Sequence, residues 1–328
     1  MTFQQPVLQF QEAAAAFKSA NTILLVTHMF PDGDAIGSLM GLANALKLHG
    51  KNLTLAVDAG VPPYLQFIPG SEDILPALTN GQWDVMVSLD CSDEERSGHV
   101  GVYGRAHSNL VVNIDHHATN TGFGHVHIVR SSAVSSTEVV FDLLEAMGQG
   151  ITQDIAVPLL TGLVTDTLAF RISSVTSNTL RIAQRLIDAG AVLSDITART
   201  VGSTDFATIL LWKEALPTVQ LQDKVVWATI SRAMLQNLGI DKLTDSGGLV
   251  SFLVSAKEAQ ASIVFKELED NQVELSFRSK PTCDVSKVAF ALGGGGHKQA
   301  SGATIQGTLE EAYQRVLPLV FAAANLAE

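Results

Sequence analysis

Residues 22–50, TILLVTHMFPDGDAIGSLMGLANALKLHG, decide the fold of this chain. They open with an apolar run, TILLVT, which predicts a buried strand of a parallel sheet. The polar segment HMFPDG follows as a loop, and residues 34–49 then show the apolar period of a helix, which Gly50 ends. Strand, loop and helix in this order are the unit from which α/β sheets are built.

Similar patterns continue along the chain. Apolar runs predict strands at residues 53–57, 85–89 and 110–114, and helical periods predict helices at residues 135–147, 153–163 and 177–189. This alternation predicts an α/β fold with a doubly wound, mainly parallel sheet. Because 328 residues are more than one core ordinarily organises, we expect two domains. We assign residues 1–192 to the first domain, 193–217 to a helical linker and 218–328 to a smaller α/β domain.

The chain is acidic. It has 21 Lys and Arg residues against 33 Asp and Glu residues, a formal net charge of −12. Proteins that bind long nucleic acid usually have basic surfaces, because neutralising phosphates dominates that affinity. We therefore expect no long nucleic acid as a partner, and any nucleotide substrate would be short and held in one pocket.

The cysteines and the apolar runs indicate a cellular location. Cys91 and Cys283 are the two cysteines, far apart and without metal-ligand spacing, which fits a reducing cytoplasm. The first residues lack the pattern of a secretory signal, and no apolar run approaches the roughly 20 residues of a membrane span. We expect a cytoplasmic protein without a membrane partner, and we leave a homodimer open.

Side chains that bind metals occur where the predicted strands end. In chain order they are His28, Asp32 and Asp34; then Asp90; then Asp115, His116 and His117; and then Asp166 at the end of an apolar helix. Taken singly, Asp32 or Asp34 could be a helix N-cap, and Asp90 could be a strand-end cap. Because such sheets bind ligands beyond the carboxyl ends of their strands, the clusters together predict a metal site.

The ligand types indicate which metals would bind. Carboxylates with imidazoles suit Mn²⁺, Fe²⁺, Co²⁺ or Zn²⁺ better than Mg²⁺, which prefers oxygen ligands and retains water. Six such ligands exceed what one ion takes from a protein while keeping open positions, so they predict two ions that share a carboxylate. Two-metal centres of this kind, with ions about 3.5–4 Å apart, catalyse phosphate ester hydrolysis.

Four segments, HMFPDGDAIGS, SLDCSD, NIDHHATN and TGLVTDT, resemble the ordered motifs of the DHH phosphoesterase superfamily. The segment GGGGHKQASG at residues 293–302 resembles the signature of the DHH-associated C-terminal domain. Together the two resemblances cover nearly the whole chain, and the chain is most similar to the nanoRNase and pAp-phosphatase branch. The resemblance implies a catalytic first domain, a substrate-binding second domain and two divalent ions, with Mn²⁺ as the expected metal.

Carried over position by position, the resemblance also implies a role for each candidate. The ligands of the first ion would be His28, Asp32 and Asp90. The ligands of the second ion would be Asp34, Asp90, His116 and Asp166, so that Asp90 bridges the two. Asp115 would orient an imidazole ligand by a hydrogen bond, and His117 would face the substrate phosphate. Whether His117 or a water protonates the leaving group stays open.

The second domain offers groups that could bind the phosphates of a nucleotide. Its glycine run presents backbone N–H groups free of side chains, and we interpret it as a loop that binds anions. The candidate substrate-binding residues in and after this run are Gly294, Gly295, Gly296, His297 and Lys298. Arg278 and Ser279 lie at the end of a predicted strand. Arg278 could bind a phosphate through two hydrogen bonds or stack on a base, or it could be a solvated charge.

The leading functional hypothesis is a phosphoesterase that degrades short oligoribonucleotides to mononucleotides and converts pAp to AMP. Cleavage of linear or cyclic dinucleotides, such as pApA or cyclic di-AMP, is an alternative within the same class. A pyrophosphatase is disfavoured because GGGGHK differs from the basic motif of family II pyrophosphatases. A metal-dependent nucleotide sensor without turnover is an alternative of another class. Missing metal ligands would indicate a sensor, and every ligand position is filled.

Overall fold

The computed structural model describes residues 6–58, 60–239 and 248–326. The chain divides into two units, Met1–Ser203 and Thr204–Glu328. The boundary between the units falls within residues 193–217, the stretch interpreted as a linker. The helix before the boundary belongs to the first unit and the helix after it belongs to the second.

In the first unit, strands and helices mostly alternate. The strands are β1 (Thr22–Val26), β2 (Asn52–Ala56), β3 (Trp83–Leu89), β4 (Ser108–Asp115) and β5 (Val126–Val129). The helices are α1 (Pro6–Ser19), α2 (Gly33–Lys47), α3 (Gly98–Ala106), α4 (Ser136–Ala146), α5 (Gln153–Asp166), α6 (Ser177–Asp188) and α7 (Leu193–Arg199).

The strands of the first unit form a parallel sheet in the order β2-β1-β3-β4-β5. The winding reverses between β1 and β3, and ligands of such sheets bind beyond the carboxyl ends of the strands at this point. Along β1, Ile23 and Leu25 join the apolar cluster on one face, whereas Leu24 and Val26 join the cluster on the other. The predicted α/β fold with a doubly wound parallel sheet is confirmed.

Helices α2 and α5 pack closely because glycines face their contact. The glycines of α2 recur every fourth residue, at Gly33, Gly37 and Gly41. A Cβ atom at Gly37 would lie 2.5 Å from the carbonyl oxygen of Pro158 in α5. A Cβ atom at Gly162 of α5 would lie 2.8 Å from Asp34 Oδ1. Glycine is therefore required at these positions, and the start of α2 lies against the end of α5.

The second unit is a mixed sheet with helices. Its strands are β6 (Gln220–Gln222), β7 (Val225–Ile230), β8 (Ala261–Glu267), β9 (Gln272–Ser279), β10 (Gly295–His297) and β11 (Ala300–Gln306). Its helices are α8 (Phe206–Ala215), α9 (Arg232–Asn237), α10 (Leu249–Val254), α11 (Ser286–Ala291) and α12 (Leu309–Asn325). The strand order is β10-β11-β9-β8-β7-β6, in which β7 and β8 are parallel and the other pairs are antiparallel.

The glycine run at residues 293–296 differs from the predicted loop. The N–H groups of Gly293 and Gly294 donate to the carbonyl oxygens of Phe290 (3.0 Å) and Ala289 (2.8 Å), and so end helix α11. The following residues form β10, which pairs with β11 in a hairpin. The predicted loop is therefore confined to Gly293 and Gly294, whose N–H groups are bonded to α11, and it is wrong at Gly295 and Gly296, which belong to β10. Glycine occurs in helix caps, in turns and in strands. The composition of the run alone therefore could not distinguish a loop from a helix end and a strand.

Candidate metal centre

The loop between β1 and α2 carries two candidate ligands, His28 and Asp32. His28 is buried and Asp32 is exposed. Asp32 Oδ1 accepts hydrogen bonds from the N–H groups of Asp34 and Ala35, both at 3.0 Å, and caps helix α2. The cap uses only one of the two carboxylate oxygens. A capping role and a ligand role for Asp32 are therefore compatible.

Asp90 directly follows β3 and has a strained backbone. Its φ of 57° is a left-handed conformation, which costs residues with a Cβ atom about 1–2 kcal/mol. Its N–H group donates to the carbonyl oxygen of Ile114 at 2.9 Å. The side chain is only 2% exposed, and its Oδ1 accepts a 2.8 Å hydrogen bond from Ser136 Oγ. Strain of this kind is concentrated at functional sites.

The N-terminus of α4 binds the carboxylate of Asp34. The N–H group of Ser136 donates to Oδ2 at 2.6 Å, and the N–H group of Thr137 donates to Oδ1 at 2.9 Å. A helix N-terminus stabilises negative charge because its N–H groups lack partners within the helix. Ser136 thus contacts two carboxylates, that of Asp34 through its main chain and that of Asp90 through its hydroxyl.

Each carboxylate oxygen of Asp90 lies near an imidazole nitrogen. His116 Nε2 is 3.7 Å from Asp90 Oδ1, and His28 Nε2 is 3.5 Å from Asp90 Oδ2. His116 Nε2 is also 3.4 Å from Asp166 Oδ2 and 3.9 Å from Asp34 Oδ2. Asp166 is the last residue of α5, so the contact between α5 and α2 brings it to the same place as Asp34.

The donor atoms form overlapping sets that could hold cations. Among the described residues, three sets have donor atoms that all lie within 4.8 Å of one another. They are His28, Asp32 and Asp90; Asp34, His116 and Asp166; and Asp90, His116 and His117. All six sequence-predicted ligands therefore lie together. Their mixture of carboxylate oxygens and imidazole nitrogens suits Mn²⁺, Fe²⁺, Co²⁺ or Zn²⁺.

The charges of the cluster also favour the binding of cations. Burial, together with the neighbouring carboxylates, raises the pKa of Asp34, Asp90 and Asp166 above the usual carboxyl range. In the part of the chain that the structure describes, none of these three carboxylates has a lysine or arginine as an ion-pair partner. Buried carboxylates without counter-charges are costly, and divalent cations would compensate them.

His28 has properties that fit a metal ligand. Burial lowers its pKa, which favours the neutral ring that metals bind. Its Nδ1 atom is buried and has no hydrogen-bond partner among the described residues. Its other ring nitrogen, Nε2, is the one that lies 3.5 Å from Asp90 Oδ2 and could bind an ion there.

A separate hydrogen-bond chain holds His117. Asp115 is buried, and its Oδ1 is 2.7 Å from His117 Nδ1, while its Oδ2 accepts a 2.6 Å bond from Asn120 Nδ2. Burial alone would raise the pKa of Asp115, but the bonds from His117 and Asn120 lower it below the usual value. The bond to Asp115 in turn raises the pKa of His117. With Nδ1 engaged, the Nε2 atom of His117 makes no hydrogen bond to the described residues.

In the second unit, the strand-end candidates Arg278 and Ser279 differ in their surroundings. Arg278 lies in β9 opposite Ala300 of β11, and its Nη1 donates to the carbonyl oxygen of Phe277 at 2.9 Å. The Ser279 hydroxyl is buried and donates to the carbonyl oxygen of Cys283 at 2.8 Å. This bond fixes the chain after β9 and does not favour contact between Ser279 and a substrate.

The other candidates of the second unit lie in the β10–β11 hairpin. Gly295 and Gly296 belong to β10, the outermost strand of the sheet, so part of its main chain faces away from the other strands. His297 and Lys298 are exposed at the end of the hairpin. Lys298 also borders a cavity of about 480 Å³, together with Lys287 and apolar side chains of α12.

Sequence reasoning missed three residues that support the cluster: Ser136, Thr137 and Asn120. Residues 131–137 most simply indicate a helix start, although the resemblance also implies small polar residues near the site there. The helix start is present, since Ser135 Oγ accepts from the N–H group of Glu138 at 3.1 Å. The contact between Ser136 and Asp34 joins positions 102 residues apart, so no local pattern announces it. Asn120 lies three residues after His117 in NIDHHATN, and its position in that motif was the available signal.

Among the residues that the structure describes, no helix combines the length and the apolar character needed to cross a membrane.

Two family models match the chain. The DHH family N-terminal domain matches residues 22–163, and the DHHA1 domain matches residues 238–325. The first match covers the motifs of the metal cluster up to α5, and the second covers the glycine run and α12.

Relatives and solved structures agree with these matches. The chain is 35% identical over 302 residues to the bifunctional oligoribonuclease and PAP phosphatase NrnA of Thermus thermophilus. This match covers 91% of this chain and 89% of that protein. It is 26% identical to the cyclic-di-AMP phosphodiesterase GdpP of Geobacillus thermodenitrificans, over 90% of this chain and 47% of that protein. A crystal structure of an exopolyphosphatase-related protein from Bacteroides fragilis has a TM-score of 0.89 and 27% identity, and the match covers 98% of each chain.

Proposed function

The chain belongs to the DHH family, and from this premise we propose that it degrades short oligoribonucleotides to mononucleotides and converts pAp to AMP. It is a phosphoric ester hydrolase, like the bifunctional oligoribonuclease and PAP phosphatase to which it is 35% identical. The observation that carries the proposal is the pair of donor sets around Asp90, in which His28 and His116 lie at its two carboxylate oxygens.

We propose that two divalent cations, with Mn²⁺ as the expected metal, are the cofactors. The first would be held by His28, Asp32 and Asp90. The second would be held by Asp34, Asp90, His116 and Asp166. Divalent cations at such a pair of sites activate water and neutralise charge on the phosphate. The buried carboxylates, which have raised pKa values, support this assignment.

The protein's own side chains would then position the substrate and stabilise its charge. Asp90 would fix the spacing of the two sites because both include it. His117 would contact a phosphate oxygen through Nε2, since Asp115 engages Nδ1 at 2.7 Å. The raised pKa of His117 favours the protonated ring, which can donate a hydrogen bond to the phosphate and stabilise its charge. Asp115 would keep the ring in that orientation.

We propose that the second unit binds the part of the nucleotide away from the scissile bond. The exposed His297 and Lys298 and the edge strand with Gly295 and Gly296 support this role, because they offer an imidazole, an ammonium group and main-chain donors to phosphates. Arg278 would bind a phosphate or a base. Gly294 and Ser279 would contribute by shaping the hairpin, since their polar groups are bonded within the unit.

The substrates would be short because the chain as a whole is acidic, with a net charge of −12, and long nucleic acid requires an extended basic surface. A cytoplasmic location remains our proposal. It is supported by Cys91 and Cys283, which are buried and free of disulfides. A homodimer and the absence of a membrane partner remain predictions.

The proposal is tested by incubating the pure protein and Mn²⁺ with pAp, pApA, a short RNA oligomer, cyclic di-AMP and pyrophosphate. We expect phosphate or mononucleotide from the first three and little product from pyrophosphate. Absence of product from pAp, pApA and RNA would refute the proposed function. It would favour a nucleotide sensor if the protein nevertheless bound AMP.

A pair of variants of one strand tests the metal assignment. Asp90→Asn should reduce turnover of pAp by several orders of magnitude, because both metal sites lose a shared ligand. Asp84→Asn is the matched control, since Asp84 lies near the other end of β3 and accepts hydrogen bonds from the N–H groups of Asn21 and Thr22. Turnover close to the unaltered protein in Asp90→Asn would contradict the shared-ligand assignment.

Cleavage of cyclic di-AMP is a second candidate activity. It is supported by the 26% identity to a cyclic-di-AMP phosphodiesterase, about half of whose length this chain spans. Faster turnover of cyclic di-AMP than of pAp in the same assay would favour this activity over the leading one.

A further inference from the structure

Phe30 is 82% exposed although it lies between two candidate metal ligands, His28 and Asp32. Burying a side chain of this size ordinarily stabilises a protein by about 1.5–3 kcal/mol. Because the Phe30 ring is exposed to solvent in a loop that carries metal ligands, it is available to contact a substrate bound at the metal centre.

Hydrogen bonds fix the loop that carries Phe30. On its N-terminal side, the N–H group of Met29 donates to the carbonyl oxygen of Arg96 at 2.8 Å. On its C-terminal side, Asp32 caps α2 through Oδ1. The main chain on both sides of Phe30 is thus fixed within the loop that carries two candidate ligands, so little main-chain freedom would be lost when Phe30 binds a ligand.

The bond to Met29 also places Arg96 beside the cluster. The N–H group of Arg96 donates to Asp93 Oδ1 at 3.0 Å, while its side chain is exposed. No ion pair or side-chain hydrogen bond of Arg96 occurs within residues 6–58, 60–239 and 248–326. The exposed guanidinium of Arg96 is therefore available to an anionic ligand.

Arg96 also lies on the segment that begins at Asp90, the carboxylate that both metal sites would share. The main-chain bond to Met29 joins this segment to the loop that carries Phe30. Two segments that carry candidate ligands therefore meet where Phe30 and Arg96 lie, and both side chains are exposed there.

We propose that Phe30 and Arg96 form a nucleotide-binding rim of the first unit, in which Phe30 stacks on the nucleobase and Arg96 binds a phosphate oxygen. This inference rests on the proposed function and deepens it, because it gives the catalytic unit its own recognition of a nucleotide. Stacking accepts any base, since every base has an aromatic face. A rim of this kind would suit an enzyme that degrades short RNA of mixed sequence.

Exposure alone does not distinguish Phe30, because Phe206 in α8 is 71% exposed as well. What distinguishes Phe30 is its place between two ligand side chains and beside an unpaired arginine. Phe206 and the exposed Arg315 of α12 lie outside the segments that carry the ligands, and they serve as matched controls.

The test compares Phe30→Ala, Phe30→Trp and Arg96→Ala with Phe206→Ala and Arg315→Ala in the Mn²⁺-loaded protein. Calorimetry gives the Kd for AMP, and steady-state kinetics gives KM for pAp and for the abasic sugar, ribose 3,5-bisphosphate. Phe30→Ala should raise the Kd for AMP and KM for pAp by roughly 5- to 150-fold, the range of base–aromatic stacking. It should leave KM for the abasic sugar unchanged, and Phe30→Trp should bind AMP as well as the unaltered protein.

Arg96→Ala should raise KM for pAp and for the abasic sugar alike by roughly tenfold or more, as expected when a charge-assisted hydrogen bond is lost. The inference is overturned if Phe30→Ala binds AMP normally, if it weakens the abasic sugar as much as pAp, or if either control variant shows the same losses. It is likewise overturned if Arg96→Ala changes only kcat. If the unaltered protein fails to hydrolyse pAp but needs Phe30 to bind AMP, the proposed function fails and the rim stands.

Discussion

Replacing Ser136 by Ala should weaken Mn²⁺ binding without unfolding the protein. Ser136 is buried, and its hydroxyl donates to Asp90 Oδ1 at 2.8 Å. The substitution removes this hydrogen bond but keeps the main-chain N–H group that donates to Asp34 at 2.6 Å. The variant therefore isolates the orientation of the carboxylate that both metal sites would share.

The size of the effect follows from the partner's charge. A hydrogen bond to a charged group contributes about 1.5–3 kcal/mol, which corresponds to a factor of roughly 10–150 in a binding constant. Partners that orient metal ligands typically change metal affinity by about 10- to 100-fold when they are removed. We therefore expect Ser136→Ala to raise the Kd for Mn²⁺ by roughly 10- to 100-fold.

The neighbouring Ser135 provides the control, because it is equally buried but serves the helix instead. Its Oγ accepts from the N–H group of Glu138 at 3.1 Å as the N-cap of α4. Loss of such a cap costs about 1 kcal/mol of stability. Ser135→Ala should therefore unfold at a lower temperature while it binds Mn²⁺ nearly normally.

Titration calorimetry with Mn²⁺ and thermal unfolding of the metal-free proteins separate the two effects. The reasoning would be refuted if both variants lost the same Mn²⁺ affinity, or if Ser136→Ala bound Mn²⁺ as tightly as the unaltered protein.

Three further predictions concern the same unit. Gly162→Ala should lower both the Mn²⁺ affinity and the unfolding temperature, because its Cβ would lie 2.8 Å from Asp34 Oδ1. An unchanged Mn²⁺ affinity in calorimetry and an unchanged unfolding temperature would contradict the close packing. Because burial and like charges raise the pKa of Asp34, Asp90 and Asp166, Mn²⁺ must displace protons from them, so affinity should rise with pH and fall on acidification. Calorimetry in buffers with different heats of ionisation counts the protons released, and a count of zero would argue against raised pKa values. Burial raises the pKa of the Cys91 thiol to about 12, so a thiol reagent near pH 8 should modify Cys91 only after denaturation, as mass spectrometry would show.

The sequence was sufficient to predict the sheet and the cluster at its edge. An apolar run such as TILLV can be recognised without neighbours, and parallel strands place whatever follows them at one edge. His28, Asp90 and His116 each come just after such a run, so their meeting follows from the topology alone. The DHH and DHHA1 matches confirm the family that the motifs indicated.

Other contacts could not be predicted, because they depend on chain segments that meet only in the folded protein. The N–H groups of Ser136 and Thr137 bind Asp34 across more than 100 residues, and only the packing of α4 beside α2 creates this contact. The sequence also left Asp32 as either a cap or a ligand, whereas the structure shows a geometry that allows both. The form of the glycine run likewise depends on its partners, since Gly293 and Gly294 end α11 and the following residues pair with β11.

The glycines between α2 and α5 bear on which ions the centre accepts. Asp34 lies at the start of α2 and Asp166 at the end of α5. The main chains that carry these two carboxylates cannot move apart unless the helices separate along their contact at Gly37 and Gly162. Ca²⁺ has a larger ionic radius than Mn²⁺ and surrounds itself with more oxygen atoms, at about 2.3–2.6 Å. Main-chain stiffness, rather than the choice of ligands alone, would therefore discriminate against Ca²⁺.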